Sequence, residues 1–173
     1  MATKRTRHQQ LGDRGEALVA ERCECPRCKR ARTLRRLPRN TKCIDIVCSF
    51  CGYTAQIKTK KVKGSLDVVP RSIPGASWKS QLELIEDGIY VPVFIVLEKK
   101  LKLDKKLAYI SDKIFKLVAD NIYQYAIYYL SEDLQHPEMF KVRKPLSPTA
   151  RRAGWQGFNY DLGSMREAIV RLM

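Results

Sequence analysis

Between Leu11 and about Glu24, apolar residues Leu11, Ala17, Leu18, Val19 and Ala20 stand among charges at helical spacing and predict an amphipathic helix. Cys43-Ile-Asp-Ile-Val-Cys48 alternates with a period near two, and Tyr53 to Thr59 reads as its antiparallel partner across a turn. The basic stretch Lys58–Lys63 leads into a predicted loop holding Gly64, Pro70, Pro74 and Gly75. Trp78, Leu82 and Ile85 share one stripe of a helix over 78–86, and Ile89–Glu98 is a nearly unbroken apolar run, Pro92 excepted, that reads as a buried strand. A charged connection over 99–106 and a strand at 107–110 follow. Residues 112–130 read as partly helical, although Ile122–Leu130 fits a strand equally well. Residues 141–161 form a basic segment with glycines and a tryptophan, and 164–173 predict a final short helix. The order indicates one α/β domain over 11–173, carrying a ribbon insertion at about 23–53 behind a basic flexible tail at 1–10.

Composition sharpens this reading. The chain has 173 residues, 45% of them apolar, enough for one domain with a real core. No apolar run approaches the length of a membrane span, and the basic N-terminus lacks the apolar stretch of a secretory signal, so a cytoplasmic protein without a membrane partner is expected. The 33 Lys and Arg against 18 Asp and Glu give a formal charge of +15, a field that concentrates polyanions, nucleic acid first among them. Residues 29–39 alone hold six basic residues and no acid, as a loop or short ribbon arm suited to lie across phosphates.

All six cysteines fall between Cys23 and Cys51. Cys25-Pro-Arg-Cys28 and Cys48-Ser-Phe-Cys51 are two C-x2-C knuckles separated by 19 residues, the spacing of a tetrathiolate zinc site. Each knuckle aims two thiolates at one ion, and the pair closes a tetrahedron. Cys23 and Cys43 are left over, and either could replace a neighbour in the ligand set.

A second constellation is Asp45-x10-Gln56-Ile57-Lys58. Alternation puts Gln56 and Lys58 on one strand face, and the hairpin brings Asp45 alongside. These residues suit metal-assisted phosphodiester hydrolysis. Asp45, the Gln56 side-chain oxygen and the Ile57 carbonyl would hold Mg²⁺, and Lys58 would orient water or steady charge on the phosphate. Glu16, on the preceding helix, adds a carboxylate from the other side.

The run Arg143-Lys-Pro-Leu-Ser-Pro-Thr-Ala-Arg-Arg-Ala-Gly-Trp-Gln-Gly157, followed by Asn159 and Leu162, carries a resemblance, as do the knuckle pair with Glu16 nine residues before Cys25 and the spacings of Asp45, Cys48, Cys51 and Lys58. The sequence resembles the catalytic domain of the DpnI family of restriction endonucleases, within the PD-(D/E)XK nuclease superfamily. The resemblance implies a restriction-endonuclease-like core with an inserted four-cysteine zinc ribbon. It makes Asp45 the metal-binding aspartate, Lys58 the motif lysine, and Cys25, Cys28, Cys48 and Cys51 the structural zinc ligands. It also implies cleavage of double-stranded DNA at GATC-type sites bearing N6-methyladenine. Gln56 stands where the family has its second carboxylate, which lowers the expected Mg²⁺ affinity and tempers the expected activity. The family's C-terminal winged-helix domain is expected to be missing.

Several basic residues complete the expectation. Lys60, Lys61, Arg143, Lys144, Arg151 and Arg152 would contact DNA, with Lys141 nearby, and Arg151 or Arg152 would reach guanine edges. Trp155 is either a wall for a methyl group or a core plug. A monomer is expected. The rival readings are a methylated-DNA-binding module that does not cut, and a basic zinc-ribbon RNA-binding protein in which Asp45 and Lys58 are ordinary surface residues.

Overall fold

The computed structural model describes residues 6–38, 41–101, 123–150 and 152–173. The strand expected at 107–110, the helical part of 112–122 and most of the 99–106 connection lie outside these residues, as does Arg151.

Helix α1 spans Arg7–Arg22 and begins four residues before the predicted Leu11, so Arg7–Gln10 of the expected tail are helical. The cause is a capping box: the Gln9 amide donates to the Thr6 hydroxyl at 3.3 Å, and the Thr6 amide donates to Gln9 Oε1 at 2.9 Å. The buried seam of α1 is Leu11, Gly15 and Val19, one residue per turn. Strands β1 (Leu34–Arg36), β2 (Ile46–Cys48) and β3 (Thr54–Lys61) form an antiparallel ribbon, with Ile46 opposite Ala55. Strand β3 continues beyond β2 and pairs in parallel with β5 (Val93–Lys100), from Gln56 opposite Val93 to Lys61 opposite Glu98. Strand β6 (Tyr123–Leu130) pairs antiparallel with β5, so the part of the Ile122–Leu130 stretch that lies within the described residues is strand.

Two expectations are corrected. The Pro/Gly stretch read as loop contains β4 (Ser72–Ser77), which ends in the N-cap of α2 (Trp78–Glu86). Pro74 is tolerated because β4 is the outer strand of a three-stranded sheet, ordered β4-β8-β7 with β7 Phe140–Val142 and β8 Gly157–Asp161. Gly75 is required there, since a Cβ would sit 2.3 Å from the Phe158 ring. The final helix over 164–173 is also absent. That segment makes turns and then β9 (Val170–Arg171), which pairs with Tyr128 and Tyr129 at the open edge of β6. Unpaired edge amides outweigh the weak helical spacing of Met165 and Ile169.

The six-stranded sheet, ordered β1-β2-β3-β5-β6-β9, has a core on each face. Val93, Ile95 and Leu97 pack with Phe140, Phe158 and Tyr160 of the smaller sheet. Phe94 and Val96 pack with Val19, Ala55, Ile57 and Ile127 on the side of α1. Alternation continues to Glu98, whose side chain is fully buried toward α1. Its carboxylate accepts two hydrogen bonds from Arg14, both 2.9 Å, with Lys61 Nζ at 3.7 Å. Next to it Gly15 lies against Thr59 so closely that a Cβ would fall 1.8 Å from the hydroxyl oxygen. Arg14 and Gly15 thus fix how α1 sits on β3 and β5.

Arg14→Ala leaves the buried Glu98 carboxylate with only Lys61 Nζ at 3.7 Å and the Tyr125 hydroxyl at 3.4 Å. It should cost about 3 kcal/mol, the lower part of the range for breaking a buried ion pair, read by urea unfolding. An Arg14→Met, Glu98→Leu double variant should recover most of that loss, because no buried charge remains.

Candidate functional site

The two knuckles adopt the same turn. In the first, the Lys29 amide donates to the Cys25 carbonyl at 2.8 Å, and the Cys25 amide donates to the Arg30 carbonyl at 3.0 Å. In the second, Gly52 donates to Cys48 at 3.0 Å, and Cys48 donates to Tyr53 at 2.7 Å. The turns aim Cys25, Cys28, Cys48 and Cys51 at one point, their four Sγ atoms all within 4.8 Å of one another. Cys25 and Cys51 Sγ are 3.6 Å apart, and Cys28 and Cys48 Sγ 3.8 Å. A tetrahedron with metal–sulfur bonds of about 2.3 Å has edges of about 3.8 Å, so the four residues can hold a metal such as zinc. Burial pushes the Cys48 thiol up, but hydrogen bonding with Thr33 and the Cys51 and Phe50 amides outweighs it and brings the thiol down to about 6, favouring the thiolate. Neither remaining cysteine joins the cluster. Cys23 is buried among apolar neighbours, which push its thiol up to about 11, and Cys43 Sγ lies 3.8 Å from the Ser80 carbonyl.

Asp45 stands immediately before β2, its amide donating to Ala55 and its carbonyl accepting from Leu37, both at 3.0 Å. Its carboxylate reaches past the end of β2, where Oδ2 accepts the Ile57 amide at 2.7 Å. The Gln56 amide donates the other way, to the Pro92 carbonyl at 2.8 Å. The amide and carbonyl of one strand residue face the same side, so the Ile57 carbonyl also opens onto the edge occupied by Asp45. Across from it, α1 presents Asp13 and Glu16, one helical turn apart, and these two line a cleft of about 260 Å³ with Asp45, Leu37, Pro38, Thr41 and Ile44. Burial pushes the Lys58 ammonium below its ordinary range, against the pull of Asp45, Cys43 and Glu16. Thus Asp45, Lys58 and Glu16 form one electrostatic group.

Gln56 behaves otherwise. Its Oε1 accepts the buried Tyr160 hydroxyl at 2.8 Å and its Nε2 donates to the Cys43 carbonyl at 3.4 Å, so the side chain ties β3 to β8 and the chain before β2. It is not among the residues lining the cleft. The sequence reading overlooked Asp13, although its i, i+3 spacing to Glu16 was visible. Tyr160 had no local signal, lying 104 residues from Gln56.

The basic residues divide into two groups. Lys60 Nζ donates to the Ser72 carbonyl at 2.7 Å and Lys61 lies beside Glu98, so both have intramolecular partners. Arg143, Lys144 and Arg152 are exposed on an extension of the β7–β8 hairpin. That extension is closed by hydrogen bonds from Arg143 to Gly157 and from Leu146 to Trp155, each 2.9 Å. Trp155 is half-buried; its ring leaves no room for a Cβ at Gly157, and the Arg152 guanidinium sits 4.6 Å from the ring. A larger cavity, about 820 Å³, lies between the first knuckle and Tyr129; Lys29, Glu24, Glu132 and Asp133 are among its lining residues, and Asp45, Lys58 and Glu16 are not. No helix among the described residues is long and apolar enough to cross a membrane.

A carboxylate–lysine group at a hairpin edge, beside a four-thiol ribbon on a cationic α/β fold, is an arrangement suited to handling phosphodiesters. The chain matches the model of DpnI, the Dam-replacing family, over residues 2–171, and belongs to that family. It carries a DpnI-like restriction endonuclease domain across nearly its whole length.

Freshly prepared, reduced protein should contain about one zinc per chain. Cys28→Ser or Cys51→Ser should lose it, while Cys23→Ser and Cys43→Ser should keep it. Strong chelation should unfold the ribbon, since binding energy at such a site is folding energy. Zinc quantitation with circular dichroism checks both outcomes.

Proposed function

We propose that the protein is a Mg²⁺-dependent endonuclease that hydrolyses double-stranded DNA at GATC-type sites carrying N6-methyladenine. In this reading α1 to β9 form one nuclease domain with a PD-(D/E)XK core, acting as a monomer in the cytoplasm, where the thiolates stay reduced. The observation that carries the proposal is the Asp45 carboxylate pinned by the Ile57 amide at 2.7 Å, with Lys58 and Glu16 in the same electrostatic group. Family membership supports the methylation-dependent, restriction-type activity.

The donor set fits a hard cation. Asp13, Glu16 and Asp45 bring carboxylates to one cleft, and the Ile57 carbonyl opens onto the same edge. When bound, Mg²⁺ supplies Lewis-acid polarisation of the phosphate and a lowered pKa for water. Asp45, held through Oδ2, keeps its other oxygen for the cation. Lys58 steadies the negative charge that builds on the phosphoryl oxygens and orients the attacking water. Attack breaks the bond from phosphorus to the 3′ oxygen, leaving a 5′-phosphate and a 3′-hydroxyl. Arg143, Lys144, Arg151 and Arg152 hold backbone phosphates or guanine edges, and Trp155 walls the methyl group. Gln56, whose oxygen accepts from Tyr160, holds the two sheets in register beneath the site.

One observation favours a second reading, a methylated-DNA reader that does not cut. The position of the family's second carboxylate is an amide engaged by Tyr160. Adenine-methylated and unmethylated plasmids, incubated in parallel with Mg²⁺ or EDTA, separate the two. The nuclease should cut only methylated DNA with Mg²⁺, and Asp45→Ala or Lys58→Ala should lower the rate by roughly 100-fold or more. Methyl-selective binding without products would establish the reader, and variants that cut as well as the parent would remove the catalytic assignment.

A further inference from the structure

Among the described residues, three non-glycine residues of the ribbon adopt the left-handed conformation; one is Cys43, with φ 60°, and the other two are cations. Lys29 has φ 58° and Arg32 φ 57°. Lys29 is the counterpart of Gly52 in the second knuckle, which makes the same turn with φ 71°. Glycine adopts that conformation freely and a side chain does so only with strain, so at Lys29 the chain carries a charge where the turn favours none.

These two cations belong to a run of exposed basic residues. Lys29, Arg30, Arg32, Arg35 and Arg36 are all exposed, and none forms an ion pair among the described residues. No acidic residue occurs from Cys25 to Ile44. Strand β1 buries Leu34 and turns Arg35 and Arg36 outward at the outer edge of the six-stranded sheet. The residues that follow it, Leu37 and Pro38, line the acidic cleft. At the tip of the second knuckle Phe50 is 55% exposed, and the Arg30 guanidinium lies 3.4 Å from its ring centroid, held in place without neutralisation. A row of cations that form no ion pair among the described residues, ending at the cleft, matches a polyanion that runs from the cleft outward.

We infer that the zinc ribbon is a docking arm for the sugar–phosphate backbone of duplex DNA flanking the scissile bond, with Lys29 and Arg32 as strained phosphate contacts. The inference rests on the DNA-cleaving reading of the cleft, but it concerns binding and does not require cutting. Contacts to phosphate carry no sequence information, so the arm adds affinity equally for methylated and unmethylated sites. The ion in the four-thiol site therefore orders a DNA-binding surface in addition to stabilising the fold.

The test is the salt dependence of binding to methylated and unmethylated duplexes, by fluorescence anisotropy of zinc-loaded protein without added Mg²⁺ or chelator, from about 50 to about 200 mM salt. Lys29→Gly/Arg32→Gly should lower the slope of log affinity against log salt by about 1.8, near 0.9 per lost phosphate contact. The parent's advantage over the variant then shrinks about 12-fold across that range. Zinc content should be unchanged and the melting temperature should not fall, because glycine is at ease at both positions. Lys29→Arg should keep the parent slope. If the glycine variant loses zinc, Arg35→Ala/Arg36→Ala on β1 gives the same readout. An unchanged slope in folded, zinc-bound variants overturns the inference while leaving the nuclease reading intact. A loss seen only with duplex RNA overturns the DNA assignment. A parent that binds no duplex DNA overturns both the arm and the proposed function.

Discussion

The hydrogen bond from the Ile57 amide to the Asp45 carboxylate, 2.7 Å long, depends on the mismatch between two strands. Strand β2 begins at Ile46 and β3 runs on to Lys61, so the edge of β3 beyond Ala55 has no backbone partner from β2. A strand edge left unpaired in a partly buried setting needs acceptors, and Asp45 supplies one with its side chain. That substitution leaves a carboxylate where the ladder would have placed a carbonyl. The same register turns the Ile57 carbonyl outward and Gln56 toward β5.

Constraints at both ends of the hairpin keep this edge in place. The four thiols close the far end through two equivalent turns and can hold a metal there, a tie that would add binding energy to a core too small to hold three strands. At the near end, α1 is docked by Arg14 on the buried Glu98 and by the close approach of Gly15 to Thr59. Those two residues stand between Asp13 and Glu16, so the contacts that fix the helix also aim its carboxylates across the cleft. Behind the sheet, Tyr160 on Gln56 links the smaller sheet to β3. Helix, ribbon and second sheet thus converge on one stretch of β3, residues 55–59.

Much of this organisation was legible in the sequence where a local rule governs. The knuckle spacing, the Trp78–Glu86 stripe and the apolar run of β5 each reflect a single dominant constraint, and Asp45 lies beside the strand that carries Lys58 because a hairpin must bring the two segments together. Long-range pairing decided what was not legible. Strand β4 hides behind Pro74 and Gly75, which read as loop until β8 supplies a partner and Phe158 a ring over the glycine. The final segment spaces Met165 and Ile169 like a helix, but the bare edge of β6 recruits Val170 and Arg171 as a strand. Gln56 alternates with Lys58 as expected, yet its role follows from Tyr160, on a different sheet. Lys29 looks like one cation among six until its φ is set beside that of Gly52.

The central claim is that the cleft between α1 and Asp45 holds a divalent cation separate from the four-thiol site. Calorimetric titration of Mg²⁺ into zinc-loaded protein, with a methylated duplex bound and Asp45→Asn as the comparison, tests it most directly. The account predicts one site in the parent that disappears in Asp45→Asn while zinc content stays at one per chain. Equal Mg²⁺ binding by the parent and Asp45→Asn would contradict it.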